Sequence, residues 1–527
     1  MMQCPDDRKH GGIVSAPPRA GFIIVIVLVT IVILSLSVYT FTALMQTEEQ
    51  AARLMTKRIQ SKYLVDSGVD YARLFLSNTP TIIREKGGVW NNSTRFQAIP
   101  VAVESANPDM IGYFSIVNSN LDELGVAEGY RFGLMDECNK INLNVLPFTD
   151  VWLPNSGRNM LMALPNMTEE IADSILDWLD ADDETREFGT EGAYYSSEQP
   201  PYAAKNGPMD SLDELLLVRG VTPQLLFGLD VNRNGILDES ELTDSSSSAD
   251  ADMLLGWANY MTLYSNESNL NEEGLPRVNI NGDDLEQLYS DLKSAYNDEW
   301  ANFVIYYRTA DDLPVSQPPS EASAVIQTAE KYPIDFTNLQ SKRKFNNIIE
   351  LVGTFVKVDD PLNLIAYVSS PLQLINLGLT LPIAMENLTT FEGPTIPGRI
   401  NIMQAPRRVL EGIPGFDSDI IDRIIEVREF ELDEPDGIDK NRQYETWLMV
   451  EGIVDLEVMK TLMPFICTGG DVYQAEIVGY FADGAGTSRA EVVLDTTVPI
   501  PRILFWRDKS HLQGGYSVET LGTNLVE

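Results

Sequence analysis

Residues 17–45 read PPRAGFIIVIVLVTIVILSLSVYTFTALM, and this stretch governs how the rest of the chain is interpreted. No charged residue occurs from Phe22 to Met45, and a helix of that length covers roughly the 30 Å hydrocarbon core of a bilayer. The small residue Gly21 precedes the apolar run, whereas a secretory signal peptide carries its cleavage site after a short apolar region. Cleavage after Gly21 would therefore remove a basic leader and leave the apolar helix, beginning at Phe22, on the mature chain.

The pattern that follows the apolar run predicts an α+β protein. Residues 46–76 continue as an amphipathic helix, with apolar residues at mostly helical spacing. Strand-like runs then occur at 113–117, 130–135, 472–480, 489–494 and 502–506. We therefore expect a small antiparallel sheet that is split by a large, mostly α-helical insertion.

The predicted insertion contains an internal repeat. Lys140-Ile141-Asn142-Leu143-Asn144 and Arg399-Ile400-Asn401-Ile402-Met403 each precede a pair of predicted helices, and a weaker copy begins at Val278-Asn279-Ile280-Asn281. Gly or Asn in the turn between two helices permits a positive φ and close helix packing. These units resemble helix-hairpin-helix motifs.

The whole pattern resembles the minor pseudopilin K (GspK) family of type II secretion. The leader ending at Gly21, the stretch Asp66-Ser67-Gly68-Val69-Asp70-Tyr71-Ala72 and the closing strand Arg502–Asp508 carry the resemblance. Most pilins and pseudopilins have Glu at the fifth mature position, where this chain has Ile26. A carboxylate within the membrane needs a partner. The lack of this Glu therefore suits a first subunit at the pilus tip, which has no neighbour ahead of it.

The resemblance implies a domain organisation. The predicted segments are a prepilin-type leader (1–21), a transmembrane and stalk helix (22–76), the first part of the sheet (77–140), the insertion (141–469) and the last part of the sheet (470–527). Within the insertion we expect a first hairpin unit (141–229), an EF-hand-like loop with a linker (230–276), a middle unit (277–398) and a last hairpin unit (399–469).

The resemblance also implies a function, which is to cap the pseudopilus tip and help initiate its assembly for export of folded proteins. The implied partners are other minor pseudopilins, the major pseudopilin, the secretin and secreted cargo. The implied location is the inner membrane, crossed once, with the bulk of the chain in the periplasm.

The strong negative charge bears on nucleic-acid binding. The formal net charge is −40, which repels phosphate and removes most non-specific affinity for nucleic acid. Helix-hairpin-helix motifs and a membrane helix also occur in competence-type DNA-binding proteins, but acidic residues surround the turns here. We therefore expect no nucleic-acid partner.

An EF-hand-like loop is the strongest candidate metal site. Residues 230–241 match every position of the loop pattern, with oxygen ligands at positions 1, 3, 5, 7, 9 and 12 and Gly235 at the sharp turn. The predicted ligands for Ca²⁺ are Asp230, Asn232, Asn234, the Ile236 carbonyl, Asp238 and Glu241. A solvated acidic loop is the alternative.

A second acidic segment begins at Asp177-Trp178 and resembles the "DWxDxDD" segment of the K family. Family resemblance suggests a calcium-stabilised loop here too, and so many carboxylates in a non-helical stretch repel one another unless a cation lies between them. The candidate ligands are Asp180, Asp182, Asp183, Glu184, Glu187 and Glu191, and a solvated acidic loop is again the alternative.

Cysteine and histidine are scarce. Of three cysteines, Cys4 lies in the leader, while Cys138 and Cys467 would be exported; the sequence leaves open one disulfide or two buried thiols. Two histidines leave no basis for a hydrolytic triad, and no phosphate loop, nucleophile elbow or HExxH helix occurs. We expect no enzymatic activity and no catalytic residues.

A membrane-anchored, calcium-dependent scaffold or adhesion protein outside any pilus is the main alternative. Cleavage after Gly21 distinguishes the two classes, because a pseudopilin requires it and a simple anchor does not.

Overall fold

The computed structural model describes residues 20–101, 111–121, 127–237, 241, 255–317, 325–331, 334–337, 339–359, 365–432, 442–512 and 515–523. The leader, apart from its last two residues, lies outside them. The chain divides into two compact units, one ending at Gln60 and the other beginning at Ser61. The boundaries predicted near 140 and 470 therefore stay predictions.

The first unit is formed by most of helix α1, which runs from Ala20 to Leu76 and confirms the predicted helix. Its most apolar window has a mean hydropathy of 3.0, and among the described residues it is the one helix long and apolar enough to cross a membrane. Hydroxyls in the apolar run bond back to the helix, as Thr30 Oγ1 does to the Ile26 carbonyl at 2.9 Å. Such bonds satisfy polar groups where no water is available.

Short strands are spread over the second unit. In the described residues they are β1 Ile99–Val101, β2 Gly112–Leu121, β3 Ala127–Phe132, β4 Met135–Asp136, β5 Ile141–Asn142, β6 Met261–Thr262, β7 Asn266–Ser268, β8 Val278–Asn279, β9 Val325–Thr328, β10 Phe355–Asp359, β11 Ile365–Ser369, β12 Leu388–Thr389, β13 Thr395–Pro397, β14 Ile400–Asn401, β15 Ile466–Cys467, β16 Val472–Phe481, β17 Ser488–Asp495 and β18 Arg502–Asp508.

The main sheet has seven strands within the described residues and is antiparallel. Its order is β1-β2-β16-β17-β18, with β3 on β2 and β4 on β16. Strand β2 pairs directly with β16, so Tyr113 lies opposite Tyr480. The split sheet and all five predicted strand runs are confirmed, whereas β1 was not predicted. The chain is an α+β protein.

The last turns of α1, from Ser61 onwards, pack against one face of this sheet. Val65, Val69 and Ala72 are buried in a cluster with strand residues. Two glycines allow the close approach: a Cβ on Gly68 would lie 2.5 Å from Ile477, and a Cβ on Gly479 would lie 2.3 Å from a carbonyl of α1.

Helices make up the larger share of the regular structure between β5 and β15. After α1, the described helices are α2 Pro80–Glu85, α3 Ser93–Phe96, α4 Leu146–Thr149, α5 Ser156–Met162, α6 Glu169–Leu179, α7 Gly192–Tyr195, α8 Pro223–Phe227, α9 Leu285–Ala295, α10 Asp298–Thr309, α11 Leu377–Asn387, α12 Arg407–Glu411, α13 Ser418–Leu432, α14 Trp447–Val450, α15 Leu456–Leu462 and α16 Val518–Leu521.

Three units of the insertion share one local design. Strands β5, β8 and β14 each pair in parallel with a second two-residue strand. In each, the strand asparagine accepts the amide two residues later: Asn142 at 3.1 Å, Asn279 at 2.9 Å and Asn401 at 3.0 Å. Helix pairs α5–α6, α9–α10 and α12–α13 follow. The internal repeat is thus visible in the structure, while its assignment as helix-hairpin-helix stays a prediction.

The middle part of the insertion also contains a small sheet that was not predicted. Strands β9, β10 and β11 form a three-stranded sheet in the order β10-β11-β9, with β9 parallel to β11. These strands have four or five residues each, and apolar runs that short do not distinguish a strand from a buried helical segment.

Candidate functional site

Two buried aspartates of α6 hold the acidic segment 180–191 against that helix. Asp173 and Asp177 lie one turn apart, and neither is exposed. Arg158 donates two hydrogen bonds to Asp173, at 2.7 and 2.6 Å, and Asp177 accepts the amide of Thr190 at 2.7 Å. The segment therefore folds back onto α6.

Three side chains in and near this segment present buried oxygens that lack a normal hydrogen-bond partner among the described residues. They are both carboxylate oxygens of Glu191, one of Asp180 and the amide oxygen of Asn206. The amide nitrogen of Asn206 donates to Asp183 at 2.8 Å, which places these groups in one neighbourhood. Burial and the charges of Asp177, Asp180 and Asp183 raise the pKa of Glu191 to about 7. Such a cluster favours either a proton or a bound cation.

The remaining predicted ligands of this segment lie at its surface. Asp182, Glu184 and Glu187 are exposed, and Asp182 accepts the amide of Glu184 at 2.8 Å. Asp183 is exposed as well, but its charge and that of Asp180 act on Glu191, so these three are the candidates brought together. Asn206 was not among the predicted ligands, because it reaches the segment only through the fold.

The EF-hand-like loop closes on itself. The two carboxylate oxygens of Asp230 accept the amides of Asn234 at 3.1 Å and Gly235 at 2.8 Å. Glu241, at the last position, accepts the amide of Asn232 at 3.1 Å. Gly235 has a φ of +78°, a left-handed conformation that favours glycine.

The two ends of the loop therefore face one turn. Burial raises the pKa of Asp230 to about 6. The backbone amide of Ile236 donates to the side-chain oxygen of Asn234 at 2.8 Å. The carbonyl group of Ile236 therefore comes directly after the turn. Asp238 lies outside the described residues.

Two cations hold this loop in place, Arg489 in β17 and Lys509 directly after β18. Lys509 donates to the Arg233 carbonyl at 2.9 Å, and Arg489 donates to the Asn232 carbonyl. Both cations also pair with Glu476, at 2.9 and 2.8 Å. The loop is therefore tied to the sheet through its backbone.

The metal-binding capacity of both candidates depends on amide and carbonyl oxygens. Within the described ranges, no group of three His, Cys, Asp or Glu side chains is close enough to hold a metal ion by itself. Asn206 would complete one set, and Asn232, Asn234 and the Ile236 carbonyl would complete the other. Ca²⁺ accepts such mixed oxygen ligands at six to eight positions. These residues fit calcium, and calcium stays a prediction.

The two cysteines lie at what we call the neck, residues 136–140 and 466–472, where the chain passes between the main sheet and the insertion. Cys138 and Cys467 are buried free thiols. Their hydrogen bond and burial raise the pKa of Cys138 well above its usual range, and burial raises that of Cys467 to about 12. A disulfide between them is one of the two alternatives that the sequence leaves open, and it stays a prediction.

A buried ionic group lies beside the neck. Arg399, directly before β14, donates two hydrogen bonds to Glu267 at 2.8 and 2.6 Å and one to Glu445 at 2.7 Å. The Arg399 side chain is 5% exposed. This group was not predicted, because its three members come from distant parts of the chain.

Comparison with known protein families gives a match to one part of the chain. The family model for "Type II secretion system (T2SS), protein K" matches residues 140–230. This region begins at the neck, contains the acidic segment and ends at the first position of the EF-hand-like loop. The chain is therefore similar to type II secretion protein K over these residues, and the predicted resemblance is confirmed there. No curated protein sequence matches the chain.

Among solved structures, the chain is similar to the crystal structure of the GspK–GspI–GspJ complex from the enterotoxigenic Escherichia coli type 2 secretion system. The identity is 10% and the TM-score 0.37, over 87% of this chain and 98% of that one. A likeness at this score does not establish a common fold.

Proposed function

We propose that this protein is a non-enzymatic minor pseudopilin of type II secretion that caps the pseudopilus tip and helps to initiate its assembly. The observation that carries the proposal is the protein K domain match at residues 140–230. That domain follows β4 and precedes β16, two paired strands of one sheet, in a chain that also has a membrane-length apolar helix. The chain would cross the inner membrane once, with its acidic bulk in the periplasm.

The proposed partners are other minor pseudopilins, which would join this chain at the tip. Below them would lie the major pseudopilin, and the exposed insertion would meet secreted cargo and the secretin. A formal charge of −40 argues against nucleic acid as a partner.

Co-purification tests the proposed assembly. The full-length tagged chain is expressed with the minor pseudopilins and prepilin peptidase of the same secretion system, and complexes are isolated from detergent-solubilised membranes. We expect a stable complex with at least one minor pseudopilin, and periplasmic retention of secreted proteins when the chain is deleted. Normal secretion in the deletion strain, together with no complex, would leave a membrane-anchored scaffold as the better account.

We propose that Ca²⁺ binds both acidic sites. For the first, support comes from buried oxygens of Glu191 and Asp180 that lack a normal hydrogen bond, because a buried polar atom without one is costly. The other oxygen of Asp180 lies 3.7 Å from Arg186. For the second, support comes from the closed turn that links Asp230 to Glu241 through the amides between them. The acidic loops would then be ordered by the metal, and the role of the metal would be structural.

Calcium titration of single variants tests each site. We expect two ions per chain in the wild type and one in Glu191→Gln, which removes a buried carboxylate from the first site. Glu187→Gln is the matched control, because Glu187 lies in the same segment but is exposed. Glu241→Gln should remove the other ion. If Glu191→Gln bound two ions per chain, as Glu187→Gln should, the first site would be excluded.

A further inference from the structure

The chain passes between the main sheet and the insertion twice, and a cysteine lies at each passage. Cys138 is in a short 3₁₀ turn, Glu137–Asn139, that directly follows β4. Cys467 ends β15, five residues before β16 begins. Strands β4 and β16 pair with each other, so the two passages run side by side. The thiols therefore meet where the insertion joins the sheet.

One carboxylate draws the two passages together. The side chain of Asp136 accepts the amide of Cys138 at 2.8 Å on one passage and the amide of Gly470 at 2.8 Å on the other. It also accepts a hydrogen bond from Asn401, at 2.9 Å, on the strand beside Cys467. A Cβ on Gly470 would lie 2.4 Å from the Cys138 sulfur. Glycine is thus needed for the passages to approach this closely.

The pairing of these two cysteines is unambiguous within the exported part of the chain. The sequence holds three cysteines, and the third, Cys4, precedes Gly21. Cys138 is 0% and Cys467 1% exposed, so neither is available to another protein once the neck has closed. Cys467 lies opposite Asn401 in β14, and Asn401 donates to Asp136, which also accepts the amide of Cys138, so both cysteines lie around one buried carboxylate.

We propose that Cys138 and Cys467 form a disulfide that fastens the neck covalently, so that the insertion cannot separate from the main sheet. The thiolate of one cysteine attacks the disulfide of a dithiol–disulfide oxidant, which breaks that bond and forms a mixed disulfide. The thiolate of the second cysteine then attacks the protein-side sulfur of the mixed disulfide, which forms the Cys138–Cys467 bond and expels the oxidant's thiolate. The two cysteines lose two protons and two electrons, and the oxidant is released as its dithiol. The bond would close a loop of roughly 330 residues, which restricts the unfolded chain strongly.

The timing of the oxidation follows from burial. Thiolate is the reactive form, and a buried thiol in apolar surroundings is inert. The disulfide must therefore form during folding, before the neck closes, and it resists reduction afterwards. The proposal rests on the export of residues beyond the membrane helix, because only an oxidising compartment supplies the oxidant.

Thiol counting on the full chain tests the proposal. Membranes from cells that make a Cys4→Ser variant are denatured in a polyethylene-glycol maleimide, with or without prior reduction, and labels are counted from the gel shift. We expect no label without reductant and two after reduction, while a further Cys138→Ser change gives one label in both conditions. Two labels in the unreduced chain would overturn the proposal.

Two further readouts separate this proposal from the proposed function. Protease added to spheroplasts shows on which side of the inner membrane the residues after the membrane helix lie. If these residues are digested and their thiols are free, only the disulfide proposal is contradicted. If they are protected from the protease, export itself is contradicted. Purified chain refolded from urea in detergent, with oxidised and reduced glutathione, tests pairing without a cell. We expect the disulfide to form there, and reductant to lower the urea midpoint of the refolded chain but not that of Cys138→Ala/Cys467→Ala. Refolding into a chain with two free thiols would overturn the proposal.

Discussion

Replacing Arg399 by methionine should destabilise the protein far more than removing an exposed cation. Arg399 makes three hydrogen bonds, of 2.6 to 2.8 Å, to two glutamates, and the side chains of Arg399 and Glu445 are 5% and 3% exposed. Methionine keeps much of the length but leaves Glu267 and Glu445 buried side by side. Breaking a buried ion pair by removing one partner costs about 3–5 kcal/mol.

The loss should depend on pH in a defined direction. Burial raises the pKa of Glu267 even beside Arg399, which opposes the rise. Without Arg399 the glutamate folds in its protonated form. In the unfolded chain Glu267 has its ordinary pKa of 4.5, so at any pH above that value the variant must take up a proton to fold. This uptake costs up to about 1.4 kcal/mol for each pH unit above 4.5. The variant should therefore be closer to the wild type at pH 6 than at pH 8.

Urea denaturation in detergent, followed by tryptophan fluorescence, measures both effects. Lys342→Met is the matched control, because Lys342 pairs with Asp311 at 2.5 Å but its side chain is 45% exposed. An exposed pair contributes about 0–1 kcal/mol. If Arg399→Met lost no more than Lys342→Met at both pH values, the buried group would not hold the neck region together.

Three further outcomes follow from the geometry. Gly470→Ala forces a methyl group against Cys138 and should lower the free energy of unfolding by about 1–3 kcal/mol, whereas Gly469→Ala, with nothing within 4 Å, should change the urea midpoint little. Burial raises the pKa of Asp136 from 3.8 to about 6, so between these pH values the folded chain holds a proton that the unfolded chain has lost. The free energy of unfolding, measured by urea titration, should therefore fall as the pH rises through this range. Asp136→Asn should remove this fall. Gly68→Ala should weaken the packing of α1 on the sheet, seen as faster proteolysis near residue 76.

The overall framework could be predicted because its signals are local. The membrane helix is recognisable from composition alone, and β2 and β16–β18 show apolar runs long enough to identify. Strands β9, β10 and β11 could not be predicted, since each has only four or five residues that mix apolar and polar side chains, too few to distinguish a strand from a short helix. Their sheet forms only when the segments 325–328 and 355–369 come together.

Of the two candidate metal sites, one could be predicted in full from local sequence and the other only in part. The EF-hand-like loop could be predicted because its ligands fall within twelve consecutive residues at fixed spacing. In the other acidic site, the sequence could not separate Glu191, which is buried, from Glu187, which is exposed. The neck brings together Asp136, Asn401 and Gly470, and nothing in their local sequence indicates that they meet.

Cleavage after Gly21 is the most direct test of the central claim that this chain is a pseudopilin. Intact-mass and N-terminal analysis is carried out on membrane-derived protein, with and without a co-expressed prepilin peptidase. The account predicts a mature chain that begins at Phe22, with a methylated N-terminus, only when the peptidase is present. A chain that still begins at Met1 or Met2 beside an active peptidase would contradict it.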